Sequence, residues 1–144
     1  MNKEKLYKLY KNYELTPEDV YKHKHYLIVT RSGVEKIQSK ANIKINYEVV
    51  KVEKDFCVVK AIGTHEEFKN GKLKTLTIET FGSALFGYKS LNSKGKWQDN
   101  GTTQSWYVME IAEKRAMSRI VLKLTGFYEL NVFGEDEADD FKNK

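Results

Sequence analysis

Arg115, Arg119 and Lys123 recur every four residues in the stretch SWYVMEIAEKRAMSRIVLKLTG (105–126), with Lys114 beside them. At helical spacing these side chains make one cationic ridge. The choice of Arg is informative, because only three of the 25 basic residues are Arg and two of those lie on this ridge. A guanidinium presents a planar fork that pairs two phosphate oxygens at once, whereas a Lys ammonium acts as a point charge. The ridge therefore reads as a contact line for a phosphate backbone. Against it stands the plainer reading, a solvated face on a core helix.

The elements that must carry these residues follow from hydrophobic period. Ala112, Ala116, Ile120 and Leu124, widened by Val108, Ile111, Met117 and Val121, give the 105–126 helix an apolar face. Ser105 is placed to cap its start; Glu110 and Glu113 early, with Lys123 and Gly126 late, agree with the helix dipole. Upstream, IKINYEVV (43–50) alternates apolar and polar residues as a strand. FCVVKAIGTH (56–65) and KLKTLTIETFG (72–82) read as the next two strands, with Asn70-Gly71 as a tight hairpin turn. Nearer the N-terminus, residues 3–13 form a short amphipathic helix and Thr16-Pro17-Glu18-Asp19 marks a second helix start. HYLIVT (25–30) is a strand leading into a helix over 34–40, and residues 91–103 read as a loop.

The expected fold is α+β: a three-stranded antiparallel β-meander, plus one short N-terminal strand, packed on a long C-terminal helix, with small N-terminal helices. Burying the helix on the sheet sets the ridge at the sheet edge, beside Lys44, Lys60 and Lys74, as a basic groove.

The totals agree with a polyanionic partner. At 144 residues the chain makes one domain. Its net charge is +5, but the last eleven residues hold five acids and two Lys, so the remaining body stands at +8. The expected organisation is a nucleic-acid-binding domain over 1–133 and an acidic, disordered tail over 134–144. Cys57 is the single cysteine, in an apolar run, and reads as a small core residue. With no apolar signal region and no membrane-length apolar segment, the expected compartment is a reducing cytoplasm, that of a bacterial cell or a phage-infected host.

Three pieces then combine: the strand HYLIVT followed by Arg31 and a short helix, the meander ending in ETFGSA (79–84), and the helix segment EKRAMSR (113–119). In order and spacing the chain resembles the ring-forming single-strand annealing recombinases related to the eukaryotic Rad-fifty-two protein, which include phage Sak-type annealing proteins. The likeness covers roughly residues 26–127. It implies subunits that assemble into rings or arcs through their sheets, and single-stranded DNA held in a groove lined by the helix and the base of the meander. It implies strand annealing in recombination or replication without nucleotide or metal, hence no cofactor and no enzyme activity. Carried over by position, Lys114 and Arg115 match the family's basic pair, and Arg31 approximates an Arg between the first strand and helix. The family's next basic position falls at Ser118, whereas this chain has its charge at Arg119.

Aromatics complete the expected interface. Trp97, flanked by Lys94 and Lys96, reads as a base-stacking residue; for Trp106 and Tyr107 stacking and hydrophobic packing weigh equally. The tail segment Asp139-Asp140-Phe141 resembles the acidic tips by which bacterial single-strand binding proteins recruit partners. The whole acidic tail, GEDEADDF onward, is expected either to compete with DNA for the basic groove, so that deleting 135–144 tightens binding at low salt, or to dock a replication or recombination protein. His23 and His25 lack a third ligand for a metal, and no phosphate loop or nucleophile triad is present. Two other classes remain open, a module that coats single strands without pairing them and an assembly module indifferent to nucleic acid.

Overall fold

The computed structural model describes residues 3–87, 89–99, 101, 103 and 106–137. Helix α1 (Lys3–Asn12) buries Leu6 and lays Leu9 and Tyr10 on the same core. The helix start expected at Thr16 yields a single turn. The Thr16 amide does donate back to the Asp19 carboxylate, 2.9 Å, as in a capping box. The chain then leaves the turn because β-branched Val20 pairs with Val29, opening strand β1 (Val20–His23) against β2 (Tyr26–Val29). Thr30 caps α2 (Arg31–Ala41), accepting from the Gly33 amide, so this helix begins three residues earlier than its apolar period suggests.

The meander is antiparallel, β3 (Lys44–Val52), β4 (Phe56–Lys69) and β5 (Lys72–Leu85), in sequence order. A bulge between Val49 and Lys51 breaks the β3 register. Asn70 and Gly71, both at positive φ, close the long β4–β5 hairpin as a two-residue turn. The segment expected as a loop contains a small hairpin, β6 (Lys89–Leu91) with β7 (Trp97–Asp99).

Helix α3 (Val108–Leu124) lies at the centre. One side packs on β4 and β5, where Ala61, Ala116 and Ile120 join the main core and Cys57, Val59, Ala84, Val108 and Ala112 form a second cluster. Gly82 permits the closest approach, since a Cβ there would overlap the Ala112 carbonyl and the Ala116 amide. Its start differs from expectation: Tyr107 occupies the N-cap without a side-chain cap, and Ser105 lies outside the described residues.

The other side of α3 is covered as well. After a 3₁₀ turn at Tyr128–Leu130, strand β8 (Val132–Gly134) adds parallel to β2, giving a mixed sheet β1-β2-β8 that packs with α2 over the helix. Another 3₁₀ turn, Glu135–Glu137, follows directly. The boundary expected at 133/134 therefore falls inside the fold, because the first acids of the supposed tail dock on α3. Asp139, Asp140 and Phe141 lie outside the described residues. Among the described residues no helix is long and apolar enough to cross a membrane.

Candidate nucleic-acid interface

The arginine ridge is not an open contact line. Arg115 is only 5% exposed, and its Nη1 donates to the Asp136 carbonyl oxygen at 2.9 Å. Arg119 donates from Nη1 to the Phe81 carbonyl of β5, 2.9 Å, and from Nη2 to the Glu137 carboxylate, 3.3 Å. Arg31, on the neighbouring helix, reaches the Asp136 carboxylate at 2.7 Å, and its backbone amide donates to Glu135 at 2.8 Å. Ser118, one turn from Arg115 and buried, adds its hydroxyl to Asp136 at 3.2 Å. All three Arg of the chain thus hold Glu135–Glu137. The hydrogen bond and the charge of Asp136 raise the Arg31 pKa further, so that guanidinium stays cationic at any ordinary pH. The ridge was expected at a sheet edge because the sequence shows one apolar face on α3, whereas two layers sandwich this helix.

The lysines expected beside the ridge are divided between two faces. Cys57, Val59, Ala61 and Gly63 of β4 face α3, so Lys60 and its cross-strand partner Glu48 lie on the opposite face. There Lys60 bonds Glu48 at 3.1 Å, with Glu79 at 4.0 Å, and the Glu48 hydrogen bond leads the rise in its pKa. Lys44, paired with Thr64, shares that outer face. Lys74 is on the α3 side, where it lines a small cleft with His65, Glu67, Leu76 and Leu124. Lys114 is half-buried, and Lys123 places its ammonium 5.2 Å from the Tyr128 ring centre. No single groove joins Lys44, Lys60 and Lys74 to the arginines.

Two of the aromatics, Phe86 and Trp106, are brought together at the other end of the meander. Where β5 runs out, Phe86 stacks on Trp106 with centroids 3.6 Å apart and planes 12° apart, and the Lys54 ammonium sits 5.7 Å from the Trp106 ring. The Gly87 amide donates to Thr103 at 2.8 Å, closing the chain back toward Trp106, and the β6–β7 hairpin leaves from this same point. Asn92 holds the hairpin turn by accepting from the Lys94 and Lys96 amides, at the foot of the arm that carries Trp97. Trp97 is 69% exposed and Tyr107 is 72% exposed. Trp106 packs one face on Phe86 and is half-exposed, as the packing reading expects.

Sequence reasoning placed Glu135, Asp136 and Glu137 in a free acidic tail and met Ser118 only as the position where the resembled family carries a basic residue; it passed over Phe86 and Lys54 at the aromatic end. For the acids a signal existed: the shortage of Arg in a Lys-rich chain asks what carboxylates the three forks serve. No metal-like grouping of three His, Cys, Asp or Glu occurs among the described residues. No protein-family model, curated protein or solved structure matches the chain.

Proposed function

We propose that this protein binds single-stranded DNA and promotes annealing of complementary strands without ATP or metal, working as a homo-oligomer in recombination or replication. The observation that carries the reading is the aromatic end: Trp97 and Tyr107 largely exposed, with Trp106 stacked on Phe86 beneath Lys54. Exposed rings among lysines suit unpaired bases, since every base offers a π face and stacking is worth about 1–3 kcal/mol per base. The body charge of +8 supplies the sequence-independent attraction to phosphates, released counterions making it salt-sensitive. Annealing requires that phosphates be neutralised while base edges stay free, and ring stacking plus lysine contacts leave those edges unoccupied. For self-assembly the reading draws on β3, an edge strand of the meander that exposes Val49, Val50 and Val52 beside its bulge and Lys51.

The test mixes two complementary labelled strands with purified protein, without nucleotide or divalent metal, and follows duplex formation. Pairing faster than in the protein-free control supports annealing. Binding that slows pairing would leave a coating protein, and no binding at low salt would discard nucleic acid altogether.

A further inference from the structure

The arginine cluster has the composition of a phosphate site, yet carboxylates of the chain's own end fill it. Arg31 and Ser118 converge on the Asp136 carboxylate, and Arg119 holds that of Glu137. Arg115 lies beneath the same turn, bonded to its backbone. Forked guanidinium donors and a hydroxyl aimed at adjacent anionic oxygens match a phosphodiester as well as they match two acids.

We infer that Arg31, Arg115, Ser118 and Arg119 form a second phosphodiester-binding site, latched by Asp136 and Glu137 and opened when a strand's phosphates replace those carboxylates. The inference rests on the nucleic-acid reading above and adds a site and its control to it.

Three features fit a latch better than a fixed clamp. The turn Glu135–Glu137 carries no apolar side chain, so polar and ionic contacts hold it. Two of the three forks are reachable from solvent while it is closed, with Arg31 40% and Arg119 29% exposed at the side chain. Arg115 becomes reachable only once the turn lifts, so opening adds a contact that the closed state lacks. A strand with many phosphates exchanges against two carboxylates and gains counterion release with each new contact.

Fluorescence anisotropy of a labelled oligothymidylate, titrated across a salt series, tests this on the full-length chain. Asp136→Ala with Glu137→Ala should bind about tenfold or more tightly at low salt. Its log–log salt slope should steepen by roughly 0.7 for each fork that gains a phosphate on a single strand. Unchanged or weaker binding in a variant that still melts cooperatively would overturn the latch while leaving the parent chain's DNA binding intact. If neither protein binds, the functional reading fails and the latch with it. Should the variant not fold, hydrogen exchange on the parent chain decides. Adding the oligothymidylate should speed exchange of the amides over 132–137; slower or unchanged exchange there overturns the proposal.

Discussion

Arg31 and Asp136 stand 105 positions apart in the chain and 2.7 Å apart in space. The pair ties the first residue of α2 to the turn that follows β8, and the Arg31 amide holds Glu135 beside it. An acid at the start of a helix is favoured by the exposed amides and the dipole there. The contact therefore seats β8 against β2 as well as neutralising charge.

Replacing Arg31 by Ala leaves Asp136, whose side chain is 8% exposed, with its strongest charged partner gone. Because Arg31 itself is well exposed, solvent screening moderates the loss to about 1–2 kcal/mol of unfolding free energy. Urea denaturation measures the total, and hydrogen exchange should place the loosening in β8 and Glu135–Glu137 while the meander stays protected.

What the sequence reveals and what it hides divide along range. The period of two in residues 43–50 and the four-residue recurrence of Ala112, Ala116 and Ile120 are local signals, and the meander and α3 follow from them. Asn70-Gly71 is local too, and its positive φ angles are those the pair tolerates. The same recurrence places Arg115 and Arg119 on one face, but nothing local says what lies on that face. The answer comes from 18 to 21 residues downstream. Strand β8 has three residues, too few for any period to show, and its parallel partner lies over a hundred positions away. The alternation over 43–50 opposes Lys44 to Ile43 and Ile45, whereas FCVVKAIGTH has apolar residues on both faces, so the outer orientation of Lys60 emerges only from its pairing with Glu48.

Two glycines should respond to the same substitution for different reasons. At Gly82 an added methyl meets helix backbone, which cannot turn aside, so Gly82→Ala forces β5 off α3 and costs about 3 kcal/mol or more. At Gly71 nothing lies within 4 Å of the new Cβ, and only the φ of +75° resists it. Gly71→Ala should cost about 1–2 kcal/mol. Thermal melts of the pair would rank them, and equal losses would contradict the tight helix–sheet contact.

Asp19 provides a pH-dependent term. Its carboxylate accepts from Lys36 at 2.7 Å and from the Thr16 amide and hydroxyl, and these contacts, Lys36 foremost, hold its pKa below the usual range. A group with a lowered folded pKa stabilises fully above its unfolded value, near pH 4, and loses that contribution as pH falls through the folded value. Lys36→Met should therefore lower stability by about 1 kcal/mol at neutral pH. The deficit should shrink progressively below about pH 4, as urea titrations of both proteins would show. A deficit constant down to pH 2 would mean that Lys36 acts through packing instead.

The aromatic end allows binding and folding to be separated. Trp97 and Tyr107 are largely exposed, so Trp97→Ala and Tyr107→Ala should each leave the melting temperature within a few degrees of the parent. Each should weaken binding to an oligothymidylate by roughly tenfold, the lower part of the range for one lost base stack. Trp106 differs, because its ring stacks on Phe86 and lies under Lys54. Trp106→Ala should cost about 1–2 kcal/mol of stability through the lost aromatic pair and its buried face, and should weaken binding too. If Trp97→Ala and Tyr107→Ala bind as the parent does, the rings are not the nucleic-acid platform. The interface would then have to be sought among the lysines of α1 or on the outer face of the meander.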